Sequence, residues 1–200
     1  MNQGQVVRWP VPPGVPLRAA LLRRAPRPLR SALFAAVLGR PAGSPLRRRL
    51  LGDAVRVGFD LLNHRDQHGV VDQILRFYDP ACEIHVGPGF PLDAEPVYHG
   101  HPGWRALLRA WDEAAAMSLV PEEALDMGGA CFAVLVSVGL TGTESGASTP
   151  AQAVWTYTIR RGLIARQDMR IDGWDAAPAE LAAALQRLTP ETEKPSPTPA

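Results

Sequence analysis

The sequence predicts an α+β fold in which three N-terminal helices pack on a strongly curved antiparallel sheet, a cone-shaped α+β barrel. Three observations carry that prediction. Between residues 46 and 117, apolar residues recur at helical spacing in three separate stretches. One short polar strand interrupts them at 82–86. Beyond residue 118 the spacing changes to that of strands, and turn signals divide the region into four.

The first helix spans about 46–63, where Leu51, Ala54, Val55, Leu61 and Leu62 form one stripe. The turn Asn63-His64-Arg65-Asp66 follows, and Asp66 is placed to cap a second helix with Val70, Val71, Ile74, Leu75 and Tyr78 on its buried side. Asp79-Pro80 ends it, because the residue before proline avoids the helical region. A strand at Cys82–Val86 leads to a loop over 87–100. The third helix runs from Pro102 to about Met117, with proline favourable at its first position and Trp104, Leu107, Leu108 and Trp111 on one face. Strands follow at about 119–126, 130–141, 151–160 and 163–172. The turns between them are Gly128-Gly129, the segment 142–149 and Arg161-Gly162. A last helix is expected at 177–188, with Leu181, Leu185 and Leu188, and the proline-rich polar tail 189–200 is expected to be disordered.

Charge is distributed unevenly. Residues 1–50 hold ten arginines and no acid, whereas residues 51–200 hold eleven basic and twenty acidic residues, a net of −9. Prolines are dense in residues 1–45, so that segment is expected to be a poorly ordered basic arm with one marginal helix near 29–40, ahead of a domain at 46–188. The arm reads as a solvated tail or as a contact for nucleic acid or anionic membrane. Arginines interrupt every apolar run near the N-terminus, so no signal-peptide layout is visible, and no run approaches the roughly 18–20 apolar residues of a membrane span. Cys82 and Cys131 fall in predicted strands and read as buried thiols of a reducing compartment, which points to the cytoplasm.

The strand 82–86 carries the clearest chemistry. Side chains alternate, so Glu83 and His85 share one face and Cys82, Ile84 and Val86 the other. An imidazole beside a carboxylate makes a general base with an orienting partner; the same pattern also fits a solvent-facing strand edge. Ser137, in the apolar run 131–140, is either a pocket hydrogen-bonder or satisfied against backbone. Trp155 and Tyr157 share a face and either line a cavity or fill the core. Tyr98, Trp104 and Trp111 complete the expected pocket walls. Arg166, Asp168, Arg170 and Asp172 alternate in sign on one face, as on a salt-bridged outer surface or a dimer face. A strand bulge would instead turn Asp168 or Asp172 to the pocket. His85, His99 and His101 are the possible metal ligands, but no acid or thiol completes a set, so no metal and no cofactor are expected.

The order helix, Asn63-x-x-Asp66 turn, helix, Phe77-Tyr78-Asp79-Pro80, polar strand, then Tyr98-His99-Gly100-His101-Pro102-Gly103-Trp104 opening a helix resembles the nuclear-transport-factor-2-like superfamily. Within it the chain resembles the SnoaL-like branch of polyketide cyclases, ketosteroid isomerases and limonene-epoxide hydrolases, over residues 46–188. The resemblance puts the isomerases' general-base aspartate on His85, and the hydrolases' water-positioning tyrosine and asparagine on Glu83 and His85. It puts the isomerases' tyrosine near Gly58 and their protonated aspartate near Val154 or Trp155. The hydrolases' Arg-x-Asp pair falls near Leu135 and Ser137. Both catalytic sets are therefore broken here. Two functions are compatible with these residues: a cofactor-independent isomerase or cyclase for a small apolar skeleton, with His85 as base, or a non-catalytic ligand-binding or dimerisation module. Either is expected to be a homodimer.

Overall fold

The computed structural model describes residues 7–87, 95–142 and 148–171. Its elements, in order, are β1 (Val7–Pro10), α1 (Leu17–Arg24), α2 (Arg27–Leu38), α3 (Pro45–Asn63), α4 (Val70–Leu75), β2 (Tyr78–Val86), β3 (Val97–His99), α5 (Gly100–Ala114), β4 (Ala115–Asp126), β5 (Cys131–Gly142), β6 (Ser148–Arg160) and β7 (Leu163–Ile171). The predicted helices correspond to α3, α4 and α5. The helix and tail expected at 177–200 lie outside the described residues.

The strands form one seven-stranded sheet in the order β1-β4-β5-β6-β7-β2-β3. It is mixed and open rather than antiparallel and closed, because β2 runs parallel to β7. Helix α5 and strands β3 to β6 separate β2 from β7 in the chain, so no hairpin constrains their direction. Register shifts between Tyr78 and Glu83, between Pro121 and Glu123 and between Thr158 and Ile159 bend the strands. The inner face carries Ile84, Phe132, Val134, Val136, Trp155, Tyr157 and Met169, all packed in the core with α3, α4 and α5. At the end of α3 the Asn63 amide donates to the Leu119 carbonyl and accepts from the Leu119 N–H, both at 2.8 Å, and so ties the helix to β4 like a neighbouring strand.

Residues 7–45, the segment expected to be a poorly ordered arm, carry β1, α1 and α2. Strand β1 pairs with β4 through Val7–Asp126 and Trp9–Ala124. Trp9 is buried in the core, and the Arg48 guanidinium lies 5.9 Å from its ring centre. The prolines do not break the helices here. Pro16 and Pro26 immediately precede α1 and α2, Pro28 lies in the first turn of α2, and Pro45 opens α3. At those positions the missing N–H has no helical partner to lose. Helix α2 presses on the β6–β7 turn so closely that a Cβ on Gly162 would meet the Ser31 carbonyl oxygen at 2.1 Å.

One buried ion pair closes the arm against the sheet. Arg47 and Asp126 are fully buried and bond bidentately, Nε to Oδ2 and Nη2 to Oδ1 at 2.7 Å each. The remaining guanidinium donors reach the carbonyls of Leu38, Arg40 and Gly129. Asp126 also accepts the N–H groups of Gly43 and Gly128. Every N–H of the guanidinium is therefore used, the condition under which a buried charge is tolerated.

Among the described residues no helix is long and apolar enough to cross a membrane, and Cys82 and Cys131 are free thiols.

Candidate functional site

Between the inner face of the sheet and the helices lies an apolar hollow of about 60 Å³. Phe34 of α2, Gly58 and Phe59 of α3, Tyr78 of β2, Phe132 of β5 and Tyr157 of β6 are among its walls. Tyr157 stacks on Phe132 with ring centres 4.8 Å apart. Around Phe59 and Tyr78 runs an aromatic row. Phe59 meets Trp155 at 5.0 Å, Trp155 meets Trp111 at 6.0 Å, Trp111 meets Trp104 at 5.8 Å and Trp104 meets Tyr78 at 5.3 Å. Tilted and edge-on ring pairs of this kind pack densely and hold one another's orientation.

The polar groups at this end are few and buried. The Tyr78 hydroxyl donates to Gln167 Oε1 at 2.5 Å. Burial raises the Tyr78 pKa, the neighbouring Cys82 adds to the effect and the Trp104 indole partly opposes it, so the phenol stays protonated at physiological pH. Tyr157 is raised likewise by burial, then by Tyr78. Burial also pushes the Cys82 thiol up to about 11, with Asp79 adding to the shift. Gln167 Nε2 and Trp155 Nε1 are buried donors without a hydrogen-bond partner among the described residues. Trp155 stands opposite Met169, and Gln167 opposite Tyr157, so the two unused donors are diagonal neighbours on the inner face of β6 and β7. An unmet buried donor costs roughly 1–3 kcal/mol, and neither Trp155 nor Gln167 is among the walls of the hollow itself.

Glu83 and His85 lie elsewhere. Cys82, Ile84 and Val86 take the buried positions of β2, which turns Glu83 and His85 to the outer face of the sheet. Their side chains are 47% and 27% exposed and meet at 3.1 Å. The base-and-orienter pair therefore forms, but the sheet separates it from the hollow. The His85 hydrogen bond, the largest cause, holds the exposed Glu83 carboxyl below the usual carboxylate range. Whatever this lends to folding is present above the carboxyl's unfolded pKa and lost as pH falls through the lower folded one. His85→Ala is expected to leave stability within about 0.5 kcal/mol, because His85 is half-buried on the outer face and its side-chain partner, Glu83, is itself exposed. The Glu83 titration should move up, measured by carbon-13 NMR. An unmoved titration would show that the pair does not persist in solution.

The other expected wall residues separate into three groups. Tyr157 lines the hollow. Trp104, Trp111 and Trp155 are fully buried in the aromatic row, and Tyr98 is buried on β3 with its hydroxyl accepting the Glu95 N–H at 3.1 Å. Ser137 is on the outer face, where it donates to the Glu122 carboxylate rather than to a pocket ligand or to backbone. Asp168 is also outside, bound bidentately by Arg166 at 2.7 and 2.8 Å; Asp172 lies outside the described residues. His99 pairs with Glu83 across β3, whereas His101 points back to the Tyr78 carbonyl at 3.2 Å. Among the described residues no group of three or more His, Cys, Asp or Glu could hold a metal ion.

Sequence reasoning missed Tyr78 and Gln167 as the polar pair of the site. It assigned Tyr78 to a helix that ends at Leu75. Gln167 carried a usable signal: it is a lone amide on the strand face of Met169 and Ile171.

Helices packed across the inner face of a strongly bent open sheet match known folds. A structure of TerC co-crystallised with polyporic acid shares 20% identity, covers 68% of this chain and 95% of its own length, and superposes with a TM-score of 0.52. An NTF2-like protein of unknown function from Burkholderia pseudomallei K96243 shares 21% identity over 68% and 95% of the two chains, with a TM-score of 0.52. This is the NTF2-like fold. A protein named as a SnoaL-like polyketide cyclase from Jannaschia sp. CCS1 has it too, at 14% identity over 66% and 92% of the two chains and a TM-score of 0.53. No protein-family model and no curated protein matches the chain. The likeness is thus one of fold, and activity has to be argued from the residues.

Proposed function

We propose that this NTF2-like chain binds a small, mostly apolar molecule carrying an acceptor oxygen, held in the hollow between α3 and the sheet. The observation that carries the reading is the apolar hollow itself, walled by the rings of Phe34, Phe59 and Phe132 with the phenols of Tyr78 and Tyr157; the unused donors Trp155 Nε1 and Gln167 Nε2 sit on the same face of the sheet, behind these walls. Binding is favoured over proton-transfer catalysis on chemical grounds. The walls of the hollow include no carboxylate and no imidazole among the described residues. Burial keeps the Tyr78 and Tyr157 phenols protonated near neutrality, so no phenolate is available there as a base. The isomerase or cyclase with a His85 base would need substrate on the outer face of β2, on the other side of the sheet from the hollow. TerC, of the same fold, has been co-crystallised with polyporic acid, which supports small-molecule binding by this fold.

Gly58 provides the test. It lies within α3, lines the hollow, and a Cβ there would meet nothing within 4 Å. Gly58→Ala is expected to raise stability by about 0.5–1 kcal/mol, because glycine is a poor helix former and the added methyl has room. Gly58→Leu should fill the hollow. With cyclohexanone and phenol as probes, the wild type is expected to show a raised Tm and altered tryptophan emission, and Gly58→Leu neither. Responses that survive in Gly58→Leu, or no response in the wild type, would sink the reading.

A homodimer, if formed, would use the outer face of β2 and β7, where Glu83, His85, Arg166 and Asp168 alternate in charge. Sedimentation at two protein concentrations tests that.

A further inference from the structure

The exposed apolar surface of the chain is concentrated in one place. Seven large hydrophobic residues are exposed among the described residues, and six of them fall between positions 15 and 46. Leucines one turn apart recur on three helices: Leu17 and Leu21 on α1, Leu29 and Leu33 on α2, Leu46 and Leu50 on α3. Five of these six, all but Leu17, line an open groove of about 670 Å³ between the helices. Arg18, Arg24 and Arg49 stand around it. Its single carboxylate, Asp53, is buried and already held by Arg18 at 2.8 Å and Arg56 at 2.7 Å. Arg24 and Arg49 are exposed and make no ion pair among the described residues.

From these features we infer that the α1–α2–α3 face docks on an anionic lipid surface. A bilayer interface supplies an apolar layer for the leucines and anionic headgroups for the arginines in one ligand. Residues 1–50 carry ten arginines and no acid. Four of them, Arg8, Arg18, Arg23 and Arg47, are ion-paired with acids of the rest of the chain, so the attraction to an anionic surface rests on Arg24 and Arg49 at the groove. Two other occupants fit less well. Nucleic acid would leave the leucines without a partner. A second copy packed symmetrically through this face would set arginine against arginine. The apolar surface also runs past the groove to Leu17, 92% exposed, so it is broader than one partner helix in the groove would cover. This face is distinct from the ligand hollow: α2 turns Phe34 to the hollow and Leu29 and Leu33 to the groove.

The test is flotation of the full chain with vesicles of phosphatidylcholine alone or mixed with phosphatidylglycerol, at about 0.1 M salt, where surface charges act over about 10 Å. The chain is expected to float with the anionic vesicles and not with the neutral ones. Arg24→Gln combined with Arg49→Gln should weaken binding by about 25-fold, roughly fivefold for each charge. Leu21→Glu with Leu29→Glu should abolish it, and Leu17→Glu should weaken it in a chain whose melting is unchanged. Absence of flotation, equal flotation with neutral vesicles, or flotation that survives the glutamate substitutions would overturn the inference. So would binding to DNA or to an acidic amphipathic peptide without binding to anionic vesicles.

Discussion

Asp126→Ala is expected to remove about 3–5 kcal/mol of folding stability, a large share of the roughly 5–15 kcal/mol that holds a typical domain. The cost comes from what remains. Arg47 is fully buried, and without Asp126 its charge keeps only the carbonyls of Leu38, Arg40 and Gly129. The damage should spread, because the pair joins the loop after α2, the first turns of α3 and the β4–β5 turn. Replacing both partners, Arg47→Met with Asp126→Leu, should recover much of the loss, since no isolated charge then stays buried. Urea unfolding of the three proteins measures this. A midpoint for Asp126→Ala that implies less than about 1 kcal/mol lost would show that water reaches Arg47 and that the arm is not locked to the sheet.

Trp104→Ala is expected to cost a comparable amount, about 3–5 kcal/mol, through a different mechanism. Trp104 is fully buried on α5 and lies edge-on to both Tyr78 and Trp111. Truncation removes the contact between α5 and the start of β2 and leaves a cavity next to the Tyr78–Gln167 hydrogen bond. Thermal melting measures the loss, and near-ultraviolet circular dichroism reports whether the aromatic row reorganises. A variant that melts like the wild type would place Trp104 at an open surface. Trp155→Phe provides a contrast. It removes one unmet buried donor while keeping an aromatic ring, so it should cost far less than Trp104→Ala.

The comparison of sequence with structure is most instructive at β2. Alternation correctly paired Glu83 with His85 and separated both from Cys82, Ile84 and Val86. It could not say which face looked inward. The apolar face went to the core because the helices cover that side, and the imidazole went outside with Arg166 and Asp168. In the structure Trp155 and Tyr157 pack inward, whereas Ser137, expected in the pocket or against backbone, lies outside on the Glu122 carboxylate. Proline content in residues 7–45 has to be read by position. Proline counts argue against helix only when the prolines fall inside one, and here they fall at helix starts. The burial of Arg47 was invisible beforehand, because its partner Asp126 lies 79 residues away.

The sequence by itself determined the order of the central elements, the α+β class and the two faces of each strand, since these follow from local spacing and turn chemistry. Tertiary structure alone decided that β2 runs parallel to β7, that Tyr78 meets Gln167 and that Glu83 and His85 face away from the hollow. Those outcomes depend on which distant surfaces come together to exclude water, and short-range periodicity holds no information about that choice.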